Sequence, residues 1–211
     1  TLQVRSPYQP TAEQAGKRSL SNAVLSLITR LDGGQLAQEQ YDAADNMTQQ
    51  LAALANLIRA GRGKSAVEAF EAQWKGDRLV MDKWFGLQII EADPKDAAKT
   101  AEALTRHPDF NWKNPNRFRA TLGALSMHHA GFHAADGAGY RLLADWLIKL
   151  DPVNPQTTAR MCSAFQTWKR YDGDRQSMIR DALTSIRDSG EISKDMHEMV
   201  TRLLAANGDR P

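Results

Sequence analysis

Apolar residues recur every three or four positions along most of the chain, and no stretch alternates apolar and polar residues in the manner of a half-buried strand. The first series is Leu20, Val24, Ile28 and Leu31, which share one helical face and follow a Thr11/Gln14 capping pair. A long apolar run at residues 79–90 is typical of a mostly buried helix. The pattern predicts an all-α, antiparallel, solenoid-like (HEAT-like) chain of about ten short helices.

The connections between these helices are short, so residues 1–211 are expected to form a single helical domain. Two helix starts of the form Asn-Pro, at positions 114 and 154, lie forty residues apart. That spacing is close to the ~40–47 residue period of two-helix solenoid repeats. Stacked repeats would place both helix starts on one edge. The tail at residues 208–211 is expected to lack structure.

Composition excludes several classes of function. The net charge of +2 and the lack of a basic stripe argue against nucleic acid and against an acidic membrane surface as partners. No apolar run approaches the ~18 residues of a membrane span. The lone Cys162 excludes an internal disulfide and fits a reducing compartment. The chain begins at Thr1 without a signal-like segment, and we expect it to be part of a longer, cytoplasmic protein.

Two arginines stand close to the first Asn-Pro helix start, in the sequence NPNRFR at residues 114–119. Arg117 and Arg119 flank a buried stripe in the first turns, where the helix dipole favours acidic residues instead. We therefore expect a negative group opposite them. Arg160 lies at a similar depth in the second helix, so Arg119 and Arg160 could converge on one anion. The alternative is a structural ion pair with an acidic side chain.

The sequence offers only weak candidates for a metal site. In the sequence HEMVT at residues 197–201, a threonine replaces the second histidine that a zinc-peptidase helix requires. His128, His129 and His133 lie around Gly131, which favours a loop, and no acidic or cysteine ligand is near. Loop packing or helix capping is therefore preferred for them, and we predict no metal site. Neither a phosphate-binding loop nor a nucleophile elbow is present, so no catalytic residue is predicted.

Six short sequence motifs, in this order along the chain, resemble the C-terminal helical domain of the bacterial aminopeptidase N family. They are DNMTQQLAAL (45–54), VMDKWF (80–85), NPNRFR (114–119), FHAADGAGY (132–140), NPQTTAR (154–160) and KRYDGDRQ (169–176). The resemblance covers most of the chain. It implies a zinc metallopeptidase whose zinc ligands and exopeptidase motif belong to another domain, so that this fragment alone has no cofactor and no activity.

The resemblance also implies a role for the helical domain as a cap over the active-site cavity, with peptides as substrates and the other domains of the same polypeptide as partners. Its second NPNRFR arginine, Arg119, and the NPQTTAR arginine, Arg160, are implied to line that cavity beside the C-terminal part of the peptide. Two alternatives stay open. One is a free-standing helical-repeat module that binds protein or nucleic acid, and the other is an independent helical enzyme, for which no catalytic constellation is present.

Overall fold

The structure is a computed structural model that describes residues 6–190 and 192–205. Every regular element in this part of the chain is helical, which confirms the predicted all-α class. None of its helices is both long enough and apolar enough to cross a bilayer. The tail at residues 208–211 lies outside the described residues. The chain divides into two compact units, residues 1–92 and 93–211, while its organisation as a single domain stays a prediction.

The first unit holds five helices within its described residues: α1 (Ala12–Asp32), α2 (Gln35–Ala43), α3 (Met47–Arg59), α4 (Lys64–Trp74) and α5 (Arg78–Ile90). Local sequence explains their ends. The Thr11 hydroxyl accepts a hydrogen bond from the Gln14 backbone N–H at 3.3 Å, as the capping pair predicts. Gly33, with φ of 63°, ends α1 in the left-handed conformation that glycine adopts without steric cost.

The core of the first unit is built from large side chains of α3, α4 and α5. Leu54, Phe70, Phe85 and Ile89 are completely buried. Within this core, the Trp84 indole N–H donates a hydrogen bond to the Val67 carbonyl at 2.9 Å. The run at residues 79–90 is a helix, as predicted, and buries Met81, Trp84, Phe85 and Ile89, whereas Leu79 and Ile90 at its ends are exposed.

Helix α1 presents an unexpected face to this unit. It packs against α2 and α3, and its buried residues are Arg18, Ser21, Leu25 and Thr29. Leu20 and Leu31 from the predicted apolar series are exposed, and Val24 and Ile28 are only half-buried. The predicted apolar series therefore lies mostly away from the unit, so the spacing of the apolar residues did not determine which side of α1 is buried.

The second unit holds the helices from α6 onwards. They are α6 (Ala97–Leu104), α7 (Pro115–Phe118), α8 (Ala124–Met127), α9 (His129–Phe132), α10 (Ala138–Leu150), α11 (Pro155–Cys162), α12 (Gly173–Arg187) and α13 (Lys194–Ala205). One π-helical segment, Arg119–Gly123, joins α7 to α8. Two 3₁₀ turns, Ser163–Phe165 and Trp168–Arg170, follow α11.

Helix α10 is central to the second unit. It packs against α6, α11 and α12, and it buries Tyr140, Leu143 and Leu147 completely. At its end, the buried Asp151 carboxylate accepts hydrogen bonds from the Ser193 backbone N–H at 2.6 Å and from the Ser193 hydroxyl at 2.7 Å. These charge-assisted bonds tie the end of α10 to the start of α13.

Candidate functional site

The two Asn-Pro helix starts begin α7 and α11 as the sequence predicts. The Asn114 side chain accepts hydrogen bonds from the backbone N–H groups of Asn116 at 2.9 Å and Arg117 at 3.4 Å. The Asn154 side chain accepts one from the Thr157 N–H at 3.0 Å. In both helices the proline occupies the first turn, where its missing N–H removes no helical hydrogen bond. Each start places an arginine at a fixed position in the helix that follows.

Arg119 lies where α7 passes into the π-helical segment. The Ala124 backbone N–H donates to the Arg119 carbonyl, which is the wider spacing of a π turn. The exposed Arg119 guanidinium donates from Nε to the Pro115 carbonyl and from Nη2 to the Asn116 side-chain oxygen, each at 3.0 Å. These two bonds orient the side chain along its own helix and leave further N–H donors for another acceptor.

Arg117 has a structural environment. Its side chain is buried, and its Nη1 donates to the Asp109 carbonyl at 3.2 Å. It therefore anchors the segment before α7, and we assign it no role in binding.

Arg160 lines a pocket of about 370 Å³ in the second unit. The pocket lies between the end of α8, α9 and its following residue, and α11 with the 3₁₀ turn after it. Its lining combines one guanidinium, two imidazoles, hydroxyl and amide groups, and two methionines: Ser126, Met127, His129, His133, Arg160, Met161, Ser163, Ala164, Gln166 and Thr167. Such a mixture suits a small ligand that carries both an anionic group and an apolar part.

The Arg160 guanidinium has no acidic partner in the part of the chain that the structure describes. Among the described residues, neither Arg119 nor Arg160 forms an ion pair, although other arginines such as Arg175 and Arg187 do. The structural ion pair considered for the two arginines is therefore not seen in this part of the chain. Arg160 is exposed on α11 and is one of the residues that line the pocket, and this lining contains no carboxylate.

His133 forms the most buried wall of the pocket. Only 8% of the residue is exposed, and its Nδ1 is hydrogen-bonded to the Tyr140 hydroxyl at 2.8 Å. Its ring stacks on Tyr171, with 3.9 Å between the ring centroids, and lies parallel to the His129 ring at 6.4 Å. Burial, and then the neighbouring His129 and Arg175, lower the pKa of His133 to about 4. The imidazole is therefore neutral at physiological pH.

Arg175 fixes the backbone at His133. Its Nε donates to the His133 carbonyl at 2.6 Å, and its Nη1 forms an ion pair with Asp172 at 2.5 Å. Asp172 in turn caps α12 by accepting from the Arg175 backbone N–H at 3.0 Å. The KRYDGDRQ motif thus positions His133 at the edge of the pocket, a role that was not deduced from the sequence.

The histidines act as the packing and capping groups that the sequence favoured. His128 Nδ1 accepts from the Gly131 N–H at 3.0 Å and caps α9. The expected loop around Gly131 is instead one helical turn, because this glycine lets α9 approach α6: an added Cβ would lie 2.5 Å from the Ala97 Cβ. Across the described residues, no group of three or more His, Cys, Asp or Glu side chains could hold a metal ion.

The structure brings together residues that lie far apart in sequence. Arg160 shares its pocket with His129 and His133, whereas Arg119 is not part of the lining, so convergence of the two arginines on one anion stays a prediction. Met127, Met161 and Gln166 were missed, since isolated methionines and amides at helix ends carry no recognisable spacing. Cys162 is a completely buried core residue, as predicted, and burial raises the pKa of its thiol to about 12.

Comparison with known proteins gives consistent matches over nearly the whole chain. A family model described as a domain of unknown function (DUF3458_C) with ARM repeats matches residues 1–205. ARM repeats are stacked helices, which agrees with the predicted solenoid-like fold class.

Three similar relatives are bacterial proteins named aminopeptidase N. The chain is 36% identical over 201 residues to the Haemophilus influenzae protein, covering 93% of the chain and 23% of that protein. It is 35% identical over 208 residues to the Escherichia coli protein, covering 95% and 24%. It is 34% identical over 209 residues to the Caulobacter vibrioides protein, covering 96% and 24%.

A solved structure, Legionella pneumophila aminopeptidase A in complex with aspartic acid, matches with a TM-score of 0.86 and 31% identity. The match covers 96% of this chain and 25% of that protein. The chain therefore spans about a quarter of the length of the relatives that it matches.

Proposed function

Because the chain belongs to the ARM-repeat family that forms part of aminopeptidase N polypeptides, we propose that it is the non-catalytic C-terminal domain of a cytoplasmic zinc aminopeptidase. The parent enzyme would remove N-terminal amino acids from peptides. This domain would enclose the active-site cavity and contact the C-terminal part of the peptide. The free-standing binding module is less favoured, since every relative described above is about four times longer than this chain.

One observation supports the binding role: Arg160, which has no ion-pair partner among the described residues, lines a pocket that also offers hydroxyl and amide groups. A guanidinium donates two parallel hydrogen bonds to a carboxylate, which makes a planar and strong pair. Among the described residues, Arg160 has no ion pair that must be broken before a peptide carboxylate binds.

The remaining groups suit the rest of a peptide terminus. Met127 and Met161 are flexible and polarizable, so they accommodate apolar side chains of different shapes. Ser126, Ser163 and Gln166 offer hydrogen bonds to the peptide backbone. Arg119 would add a second cationic donor where the neighbouring domains complete the cavity.

The described residues contain no zinc site, so we derive no catalytic step for this chain. Zinc would belong to a catalytic domain elsewhere in the parent polypeptide. The contribution of this domain is to hold the distant end of the peptide, which orients the reacting end.

The test uses the full-length enzyme with Arg160→Ala and Arg119→Ala. For oligopeptides, kcat/KM should fall by roughly 10–100-fold, as expected for losing ~1.5–3 kcal/mol of charge-assisted hydrogen bonding. Aminoacyl anilides lack a distant terminus and should change little. Arg160→Lys should restore only part of the activity on oligopeptides, because lysine keeps the positive charge but lacks the planar guanidinium group that donates two parallel hydrogen bonds.

Arg106→Ala is the matched control, since Arg106 is an exposed arginine of the same unit whose partner is Glu102 on its own helix. It should leave both substrate classes unchanged. Equal losses on peptides and anilides, together with a lower melting temperature in the Arg160 variant, would show a structural role instead and refute the binding role.

A further inference from the structure

Met127 is the most exposed of the seven methionines in the chain. It is the last residue of α8, and 71% of it is exposed. The other six are buried or half-buried: Met47, Met81, Met161, Met178, Met196 and Met199. A dissolved oxidant converts a methionine to its sulfoxide where it can reach the thioether. Met127 is therefore the methionine that such an oxidant reaches most readily.

Half-buried methionines of the same unit hold their sulfur atoms against neighbouring groups. A Cβ added at Gly123 would lie 3.8 Å from the Met161 Sδ and 3.6 Å from its Cε, so this side chain packs over the π-helical segment. The Met199 Sδ accepts a hydrogen bond from the Arg202 Nη2 at 3.1 Å. Contacts of this kind hinder the approach of an oxidant to the sulfur.

The single thiol of the chain does not compete for an oxidant. Cys162 is completely buried, and burial raises the pKa of its thiol to about 12. Oxidation of cysteine begins from an accessible thiolate, and this residue offers neither the access nor the charge. Oxidation of the chain is thus directed to a methionine.

Met127 lines the same pocket as Arg160. The volume of this pocket, about 370 Å³, is near the lower end of the ~300–1,000 Å³ of ligand pockets, so a change in one lining side chain alters a considerable part of the wall. Among the described residues, Arg160 has no ion-pair partner. Its N–H donors are therefore open to a new acceptor formed in this wall.

Oxidation of a thioether by a hydroperoxide creates such an acceptor. The sulfur lone pair attacks the terminal peroxide oxygen, an S–O bond forms, and the O–O bond breaks. The other oxygen takes the hydroperoxide proton and leaves as water or an alcohol, so sulfur loses the two electrons that the peroxide gains. The sulfoxide is polar and chiral, whereas the thioether is apolar and flexible.

We propose that Met127 is a reversible oxidation site through which hydroperoxides weaken peptide binding by this domain. The sulfoxide oxygen accepts a hydrogen bond from the Arg160 guanidinium and so competes with a peptide carboxylate. The polar side chain also removes an apolar contact for the peptide. Methionine sulfoxide reductases return the sulfoxide to the thioether, which makes the change reversible. This inference rests on the proposed function, because its effect is on the binding of a peptide.

Peptide mapping by mass spectrometry tests the accessibility of Met127 in the full-length enzyme. The native protein is treated with dilute hydrogen peroxide, and sulfoxide formation is followed at Met127 and at Met161, which lines the same pocket. Each rate is divided by the rate of the same residue in denaturant. On this scale Met127 should be oxidised several-fold faster, since a packed side chain reacts mainly when the structure opens. A rate at Met127 no higher than at Met161 would overturn the inference.

Kinetics after the same treatment test the consequence. In the parent enzyme, kcat/KM for an oligopeptide divided by kcat/KM for an aminoacyl anilide should fall by roughly three- to tenfold, about the effect of losing one hydrogen bond. The anilide corrects for oxidative damage in the catalytic domain. Treatment with a methionine sulfoxide reductase should restore the ratio. An unchanged ratio in a parent enzyme that is fully oxidised at Met127 would overturn the inference.

Met127→Leu is the matched variant, because leucine keeps the apolar volume without an oxidisable sulfur. Its ratio after peroxide should equal its own untreated ratio. A fall as large as that of the parent would overturn the inference. If Met127→Leu does not fold, Met127→Ile is judged by the same criterion.

Untreated Arg160→Ala separates this inference from the proposed function. An enzyme that loses oligopeptide activity in Arg160→Ala, but not on oxidation of Met127, would refute this inference alone. An enzyme that is unaffected by Arg160→Ala, yet reversibly weakened by oxidation of Met127, would refute the proposed role of Arg160 alone.

Discussion

The imidazole of His133 is held on three sides within the second unit. Tyr140 is hydrogen-bonded to its Nδ1, Tyr171 stacks on its ring, and Arg175 donates to its carbonyl. These contacts make His133 a rigid, uncharged wall of the pocket that contains Arg160. Burial of the ring, and then the neighbouring His129 and Arg175, disfavour a positive charge on the imidazole, which is the physical reason that the pKa of His133 is low.

The low pKa of His133 predicts a pH dependence of stability. The unfolded chain has a histidine pKa of ~6.5, so between that value and about 4 the unfolded state binds more protons than the folded state. Stabilisation from the neutral form is complete above pH ~6.5 and is lost as the pH falls through this window, by roughly 2–3 kcal/mol. The free energy of unfolding, measured at several pH values, checks the effect.

His133→Asn should flatten this part of the pH profile, because asparagine does not titrate. The control is His197→Asn, which replaces an exposed histidine of α13. An NMR titration in which the His133 ring protonates near pH 6.5 would contradict the account.

At the scale of the elements, the position of α9 depends on close contact with α10. A Cβ added at Gly139 would lie 2.8 Å from the Phe132 carbonyl oxygen and 3.0 Å from the Phe132 Cα. Both are backbone atoms, which cannot rotate away as a side chain can. His133 follows Phe132 directly, so this contact also sets the histidine wall of the pocket.

Gly139→Ala is therefore expected to destabilise the protein by roughly 1–3 kcal/mol through overpacking. Gly16→Ala is the matched substitution in a helix with nothing within 4 Å of the added Cβ, and it should stabilise the protein by ~0.4–1 kcal/mol. Thermal unfolding of the two variants measures both effects. A Gly139→Ala protein as stable as the Gly16→Ala protein would show that α9 moves freely, contrary to the packing described.

The sequence predicted much at this scale because helix ends are local. Thr11, Asn114 and Asn154 cap the helices that they were expected to begin, since each bond joins residues two or three positions apart. Longer-range features were not predictable. The exposed side of α1 depends on what it packs against, and the pocket joins side chains from residues 126 to 167.

At the scale of the whole molecule, peptide binding is proposed for this chain, and the chemical step is proposed for another domain of the parent enzyme. The 211-residue chain alone should bind no stoichiometric zinc and release no amino acid from chromogenic aminoacyl substrates. The reason is that its sequence lacks a complete zinc-peptidase motif and an exopeptidase motif. Metal analysis and a hydrolysis assay measure these two properties. One equivalent of tightly bound zinc, or turnover that survives further purification, would contradict the proposal that this chain is non-catalytic.

The central claim is that Arg160 binds the C-terminal carboxylate of a peptide, and a substrate–variant cycle tests it most directly. In the full-length enzyme, kcat/KM is measured for one peptide with a free C-terminus and for the same peptide with a C-terminal amide, in the parent and in Arg160→Ala. The parent should prefer the free acid by roughly 10–100-fold, and the variant should show almost no preference. An undiminished preference for the acid in Arg160→Ala would contradict the claim.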